Sequence, residues 1–174
     1  IFMKKLLTLL ILQAALCGVV YGQCFNSSLI VGGNLNQGSA SVFYDVYGNY
    51  YLAGTYSGIL NIDSIFLTGD GSNDIFLAKY DSCGVILWAI CAVSTGNNAL
   101  GGSGEAIAVD QSGYIYWVGY YVNNMVVYGA DGSTYAAPYT ISGNPIASDG
   151  FLVKISPTGS IIWGANIGGE SNER

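Results

Sequence analysis

One stretch of the sequence occurs twice, and this repetition constrains the fold more than any other feature. Residues 74–88 read DIFLAKYDSCGVILW, and residues 149–163 read DGFLVKISPTGSIIW. At an offset of 75 residues, Asp, Phe, Leu, Lys, Gly, Ile and Trp recur in place. Self-similarity at a fixed spacing is the signature of a repeat architecture, so the chain is expected to contain two copies of one structural unit.

The repeated stretch has the pattern of a β-hairpin. Two short runs rich in β-branched and aromatic residues, 75–80 and 85–90, flank the turn cluster 81–84. Such runs around a short Gly-containing loop predict two antiparallel strands. In the second copy Pro157 sets φ at about −65° and Gly159 can supply a positive φ, so the same turn is rebuilt from different residues.

A second hairpin precedes the first in each copy. Residues 42–54 correspond to residues 107–119 at an offset of 65, with Asp-x-x-Gly as the turn. The offset rises from 65 to 75 within the unit, so copy two carries about ten additional residues between its hairpins. We place these residues in a surface loop near 123–144, where an insertion costs little. Each unit is predicted to contain four short strands, as in a propeller blade.

Joined together, the repeated residues form one long motif. It reads D-x-x-G-x-[IVY]-[YW]-x-x-G, then [ND]-D-x-F-[LV]-x-K-[YIL]-x-x-x-G-x-x-x-W, then G-G. This pattern resembles the β-propeller repeat family called SBBP over about residues 39–102 and 103–169. The resemblance implies a propeller with seven blades in secreted or cell-surface proteins. It implies no single activity. Cys83 departs from the pattern, because the family favours Asn or another polar residue there.

Seven positions recur in both units and are therefore expected to be structural. The tryptophans are expected to pack between blades, since aromatic side chains dominate core burial; stacking on a sugar is the alternative. Tyr114, Tyr116, Tyr120 and Tyr121 are expected to be strand formers, or members of a binding face. The recurring positions are Asp45, Gly48, Gly54, Asp74, Lys79, Gly84 and Trp88 in the first unit and Asp110, Gly113, Gly119, Asp149, Lys154, Gly159 and Trp163 in the second.

The first 22 residues have the pattern of a secretory signal peptide. Lys4 and Lys5 form a positive region, residues 6–20 are apolar, and Gly22 ends a cleavage site that would leave Gln23 as the mature N-terminus. A retained membrane anchor and a lipoprotein attached at Cys24 are the alternatives. The pattern predicts a protein that is secreted or lies at the cell surface, with no membrane span after the signal is removed.

The remaining chain divides at the repeat boundaries. We assign residues 23–38 to an N-terminal strand segment, 39–102 to blade one, 103–169 to blade two and 170–174 to the start of a further repeat. Residues 29–33 resemble residues 165–169, the end of a repeat, so the N-terminal segment is expected to be the outer strand of a blade that closes a ring. Repeat arrays generally need about three or more units. Further blades of the same chain or self-association are therefore expected.

Composition excludes several classes of function. The net charge is −6 with only five Lys and Arg residues, so the basic surface that nucleic acid requires is missing. Charged residues make up 9% of the chain, and the neutral polar and aromatic surface that remains suits contact with protein or carbohydrate. There is no histidine, which excludes a Ser-His-Asp triad and a Cys–His zinc site.

Few residues suggest chemistry beyond binding. Asp70, Ser72 and Asp74 alternate along a loop as in calcium sites, and hydrogen bonding within a turn is the alternative; no other cofactor is expected. A glycosidase would need two carboxylates that converge on a cleft, and we expect no catalytic site here. Cys83 and Cys91 flank one strand and lie too far apart to form a disulfide, whereas the pairing of Cys24 stays open. The carboxylates considered for catalysis are Asp45, Asp63, Glu105, Asp110 and Asp131.

The sequence thus predicts an all-β chain, a partial β-propeller with two four-stranded antiparallel blades. The leading functional hypothesis is a non-catalytic scaffold that binds a protein or glycan through the loops that connect its strands. One alternative is the propeller portion of an extracellular carbohydrate-active enzyme, and another is a structural spacer without a ligand. The ligand itself is not predicted.

Overall fold

The computed structural model describes residues 31–33, 38, 41–70, 73–95, 102–122, 124–137 and 148–167. The predicted signal peptide, residues 26–30 and the predicted start of a third repeat lie outside these ranges. Within these ranges every regular element is a β-strand. No helix in the described residues is long and apolar enough to cross a membrane. The strands are β1 (Val31–Gly33), β2 (Ser41–Tyr44), β3 (Tyr50–Tyr56), β4 (Ile59–Ile62), β5 (Ile65–Thr68), β6 (Asp74–Tyr80), β7 (Ile86–Thr95), β8 (Gly102–Val109), β9 (Ile115–Val122), β10 (Asn124–Tyr128), β11 (Thr134–Ala137), β12 (Ser148–Ile155) and β13 (Ile161–Ile167).

Blade two is a four-stranded antiparallel sheet with the strand order β8-β9-β12-β13. Each strand pairs with its neighbour in this order, and Phe151 lies opposite Gly119 on one side and Asn166 on the other. The turns between β8 and β9 and between β12 and β13 are the two hairpin turns that the sequence predicts. This sheet is therefore the blade expected from the repeat.

Blade one repeats this arrangement with the order β2-β3-β6-β7. The central strand β6 is buried along its whole length, which explains why its sequence is an almost continuous apolar run. The two four-stranded antiparallel sheets make the chain all-β and a partial β-propeller, as the sequence predicts.

A hairpin from blade two extends the sheet of blade one. Strand β10 pairs with β7 in antiparallel register, with Val127 opposite Ala92, and β11 continues the sheet on the far side of β10. The prediction of a surface loop near residues 123–144 is therefore wrong for residues 124–137. The physical reason is that Met125 and Val127 are buried, while the backbone of β10 finds its hydrogen-bond partners on β7.

Blade one carries an equivalent hairpin, β4–β5, at the same place between its second and third strands. Leu60 and Ile62 are buried and correspond, at the 65-residue offset, to Met125 and Val127 of β10. Strand β4 pairs with β1, and Val31 lies opposite Ile62 just as Ala92 lies opposite Val127. Thus β1 occupies the position on β4 that the outer blade strand β7 occupies on β10.

Two hydrophobic cores lie on opposite faces of blade one. We call the side of each blade that bears Phe76 or Phe151 its front face, and the side that bears Trp88 or Trp163 its back face. The first core joins the back face of blade one to the front face of blade two and to β10, and we call it the inter-blade core. The second core joins the front face of blade one to the β4–β5 hairpin. The buried residues of the inter-blade core are Tyr51, Ala53, Ile75, Leu77, Trp88, Ile90, Ala92, Ile107, Ile115, Trp117, Tyr121, Met125, Val127, Phe151, Val153 and Ile155.

Candidate functional site: the turn end and the blade faces

Four hairpin turns of the same design connect the blade strands. In the first turn, Asp45 Oδ1 accepts hydrogen bonds from the backbone N–H groups of Tyr47 and Asn49, each at 2.9 Å. Gly48 closes the turn with a φ of 82°, which only glycine adopts at little cost. One oxygen atom thus satisfies two turn amides, which fixes the loop between β2 and β3.

The other three turns repeat this hydrogen bonding. Asp81 Oδ1 and Asp110 Oδ1 each accept from the amides two and four residues onward, at 2.9–3.0 Å. Ser156 Oγ takes the same role in the turn that contains Pro157, with amide distances of 3.3 and 3.0 Å. Gly159 there has a φ of 88°, so the sequence correctly predicts that this turn is rebuilt from different residues.

The four turns lie together at one end of the blades, which we call the turn end (residues 45–49, 81–85, 110–114 and 156–160). The Tyr47 hydroxyl donates to the carbonyl of Gln111 at 2.9 Å and links the first turns of the two blades. A Cβ built on Gly48 would lie 3.4 Å from Ser82, and one built on Gly113 would lie 3.4 Å from Pro157. The turn end therefore presents a single surface built from both repeats.

Trp88 and Lys79 connect the two blades beneath the turn end. The Trp88 indole Nε1 donates to the carbonyl of Pro157 at 3.0 Å, and Lys79 Nζ donates to the same oxygen at 3.3 Å. The Lys79 ammonium also lies 5.4 Å from the centre of the Tyr51 ring. Two side chains of blade one thus hold one turn of blade two.

The equivalent residues of blade two have different surroundings. Lys154 Nζ lies 4.5 Å from the Tyr114 ring centre and 5.0 Å from that of Tyr116, while Trp163 contacts Tyr116 edge to face. Trp163 is exposed, whereas Trp88 is buried. The same residue types therefore form an inter-blade contact in blade one and an exposed aromatic surface in blade two.

The charges at the turn end respond to these contacts. Partial burial opposes ionisation of Asp45, but hydrogen bonds from Asn49, Tyr47 and Tyr51 outweigh it and lower the pKa of this carboxyl. Burial lowers the pKa of Lys79, and the negative charge of Asp45 partly offsets this effect. For Lys154 a hydrogen bond with Tyr116 is the largest influence and raises the pKa.

The remaining recurring positions lie inside the blades. Gly54 and Gly119 stand opposite Phe76 and Phe151, so a residue without a side chain faces each phenylalanine across the sheet. Asp74 and Asp149 are both buried at strand starts. Asp74 Oδ2 accepts a hydrogen bond from the amide of Asp70 at 3.1 Å. Such hydrogen bonding within a turn is the alternative to calcium binding at this loop.

The calcium prediction remains a prediction. Ser72, the middle residue of the predicted calcium loop, lies outside the described residues. Among the residues that are described, no three Cys, Asp or Glu side chains gather in a group that could hold a metal ion.

The carboxylates considered for catalysis are distributed among turns. Asp45 and Asp110 accept backbone hydrogen bonds within their own turns, and Asp63 lies in the β4–β5 turn with a φ of 51°. Hydrogen bonds from Ser133 lower the pKa of Asp131 to about 2. The side chain of Glu105 lies outside what the structure describes.

One hydrogen-bonded pair of blade two escaped the sequence analysis. Tyr121 donates its hydroxyl hydrogen to Asn166 Oδ1 at 2.6 Å across blade two. At the repeat offsets these positions correspond to Tyr56 and Cys91 in blade one, where both side chains are buried. Tyr56 and Tyr121 match in an alignment at offset 65, but the Cys–Asn difference hides the pairing. Cys91 is a free thiol.

Comparison with known proteins gives one similarity. The chain is 29% identical over 154 residues to an uncharacterized WD repeat-containing protein, L264, of Acanthamoeba polyphaga mimivirus. The alignment covers 74% of the chain and 11% of that protein, so the chain spans about a tenth of the relative's length. No protein-family model and no solved structure matches the chain. WD repeats build propeller blades, so the similarity agrees with the β-propeller architecture described above.

Proposed function

We propose that this protein is a non-catalytic β-propeller scaffold of the SBBP type, secreted or at the cell surface, that binds a protein or glycan at its turn end. The observation that carries the proposal is the design of the turns. Their carboxylate and hydroxyl groups are used to hold backbone amides, while apolar side chains face outward at the same end.

The exposed side chains of the turn end suit such a ligand. Val46, Tyr47 and Val85 are all exposed, and the turns that carry them lie side by side. Aromatic and aliphatic groups on a weakly charged surface contact sugar rings or apolar protein side chains without desolvating charges. The Tyr47 ring is also held by its hydroxyl bond to Gln111, which reduces the entropy cost of binding.

Similarity to a WD repeat-containing protein supports the scaffold class, because propellers of that repeat type present surfaces built from several blades. The signal-peptide pattern of residues 1–22 supports export. Processing is tested by the mass of the exported protein, which should begin at Gln23; an exported chain that retains residues 4–20 would contradict cleavage.

Ligand binding is tested with a glycan array, a pull-down from surface proteins and a polysaccharide hydrolysis screen. We expect binding without turnover, and we expect Tyr47→Ala to weaken it at least about tenfold. Phe66→Ala is the matched control, because Phe66 is a similarly exposed aromatic residue on β5, outside the four turns. Hydrolysis that is lost on replacing one carboxylate would instead support the carbohydrate-active enzyme.

A further inference from the structure

The turn end is apolar in blade one and polar in blade two. Val46, Tyr47 and Val85 of blade one are 85%, 65% and 57% exposed, and we call these three side chains the apolar patch. Their equivalents in blade two, at the repeat offsets, are the polar residues Gln111, Ser112 and Ser160. Blade two forms the same turns with these polar residues, so the turn geometry does not require the apolar side chains.

The stacking of blades leaves the turn end uncovered. Blade one has a neighbour on its back face, and Tyr47 is nevertheless exposed. Blade two has a neighbour on its front face, and Gln111, Ser112 and Thr158 in its turns are exposed as well. The exposure of the apolar patch therefore does not depend on how many blades stand beside these two. An exposed apolar patch that the fold neither needs nor covers is typical of an interaction site.

The apolar patch is held in a fixed shape. The Tyr47 hydroxyl donates to the carbonyl of Gln111 at 2.9 Å, and the Tyr47 amide donates to Asp45 Oδ1 at 2.9 Å. The amide of Val85 donates to Asp81 Oδ1 at 2.9 Å, and the two turns of blade one lie side by side. A tyrosine fixed in this way loses little conformational entropy on binding, and tyrosine is enriched among the residues that dominate interface affinity.

Negative charge surrounds the apolar patch. Three of the four turns begin with aspartate, and no turn contains Lys or Arg. Asp81 uses Oδ1 for two turn amides, and its Oδ2 accepts no hydrogen bond from the described part of the chain. The two lysines that the structure describes lie beneath the turns, Lys79 on the carbonyl of Pro157 and Lys154 beside the Tyr114 ring. Three aspartates against two lysines leave the turn end negative.

We propose that the partner of the turn end is a protein segment with an apolar side chain flanked by lysine or arginine. This inference rests on the proposed function, because it names the partner class for the same surface. The apolar side chain packs against Tyr47 and Val85, and a basic side chain pairs with the carboxylate of Asp81. Burial of apolar area supplies most of the affinity, while the opposite charges speed association and select the partner.

Salt distinguishes this partner from a neutral glycan, the other class that an exposed tyrosine binds. Sugar hydroxyls can donate to Asp81, but an uncharged ligand has no ion pair for salt to screen. An acidic glycan meets like charge at the turn end, which opposes its binding.

The test is selection of a random-peptide display library on the purified full chain, with an array of neutral and acidic glycans probed in parallel. We expect enriched peptides in which Lys or Arg stands next to Leu, Phe or Trp. The affinity of the best peptide should fall at least about tenfold when NaCl is raised from about 50 mM to about 500 mM, because salt screens exposed ion pairs.

The variants use the second blade as a guide to folding. Val46→Gln with Tyr47→Ser gives the first turn of blade one the residues that blade two has there, and it should weaken peptide binding at least about tenfold. Asp81→Asn keeps an oxygen for the turn amides and removes the charge, so binding should weaken about three- to tenfold at low salt and little at high salt. Circular dichroism checks that each variant keeps its strands.

Asp63→Asn is the matched control for the loss of one charge. Asp63 is an exposed carboxylate in the β4–β5 turn, outside the four turns, and asparagine tolerates its φ of 51°. This variant should bind the selected peptide as the wild type does. A loss for Asp81→Asn no larger than that for Asp63→Asn would overturn the pairing with Asp81.

The remaining outcomes separate this inference from the proposed function. Binding of a glycan or an uncharged peptide that is lost in the Val46→Gln, Tyr47→Ser variant and unaffected by salt would overturn the basic partner and leave the proposed function intact. Binding that this double variant leaves unchanged, or a chain that binds neither peptide nor glycan, would contradict both.

Discussion

At the scale of the residue, one acceptor atom organises each hairpin turn of the blades. Asp45 and Asp110 use a carboxylate oxygen, and Ser156 uses a hydroxyl at the same place. The turn geometry therefore requires an acceptor but not a charge. Asp45 differs from Ser156 in one respect, because its second oxygen also accepts from the Asn49 side chain and the Tyr51 hydroxyl.

The depressed pKa of Asp45 predicts a specific acid sensitivity. Its folded pKa lies below the ordinary 3.8, so the stability that its charge contributes is complete above that value and is lost as the pH falls through the folded pKa. Asp45→Asn should lower the free energy of unfolding by about 1 kcal/mol or less at pH 7, because solvent screens this partly exposed charge, and should flatten its fall below about pH 4. Denaturant melts from pH 7 to pH 2 measure both effects. Asn keeps an oxygen that can accept from the two turn amides, so this variant reports on the charge, and an acid limb unchanged in Asp45→Asn would refute the assignment.

Two glycines with the same backbone conformation separate turn strain from inter-blade packing. Gly159 has a φ of 88°, and a Cβ there would lie 2.8 Å from Ala130 Cβ and 3.1 Å from the Trp88 ring. Gly132 has a φ of 85°, and a Cβ there would meet nothing within 4 Å. Gly132→Ala should cost about 1–2 kcal/mol from backbone strain alone, and Gly159→Ala should cost more. Equal losses in thermal denaturation would show that the turn of blade two does not pack on Trp88.

At the scale of the element, the sequence predicts the hairpins whose turns have a recognisable short sequence. The two strands of each blade hairpin are joined by an Asp-x-x-Gly or a Ser-Pro-x-Gly turn. They are consecutive in the chain and pair with each other. The β10–β11 hairpin lacks that signature, and its pairing with β7 joins strands about 30 residues apart in the chain. Alternation of apolar residues at Leu60 and Ile62, and again at Met125 and Val127, was the available signal.

The β10–β11 hairpin should be part of the core and not a dispensable loop. Met125 is buried in the inter-blade core, so Met125→Ala should lower the free energy of unfolding by about 2–5 kcal/mol. Tyr128, on the same strand, is partly exposed, and Tyr128→Ala should cost well under half as much. Chemical denaturation of both variants provides the comparison. Losses of about 0.5 kcal/mol or less for both would restore the interpretation of this segment as a surface loop.

The interaction residues were less predictable than the fold. Recurrence identifies Lys79, Trp88, Lys154 and Trp163 as equivalent, but it does not show that one pair is buried between blades while the other is exposed. That difference arises because the back face of blade one packs against blade two, whereas the back face of blade two is exposed in the described structure. The link between Tyr47 and Gln111 is equally hidden, since it joins turns 64 residues apart.

At the scale of the whole molecule, the two blades are held as one unit by three kinds of contact. They share the inter-blade core, the bonds to the Pro157 carbonyl, and a sheet in which β10 and β11 of blade two extend blade one. Among the described residues, the back face of blade two lacks such cover, and Trp163 and Ile167 are exposed on it.

The central claim is that the back face of blade one is covered by blade two and that the same face of blade two is open. Hydrogen exchange of the three indole N–H groups, followed by NMR at a concentration where the chain is monomeric, tests this claim most directly. Trp88 donates to Pro157 and Trp117 is buried, so both indole N–H groups should be protected, whereas that of Trp163 should exchange fast. Equally fast exchange at Trp88 and Trp163 would contradict the stacking of the blades.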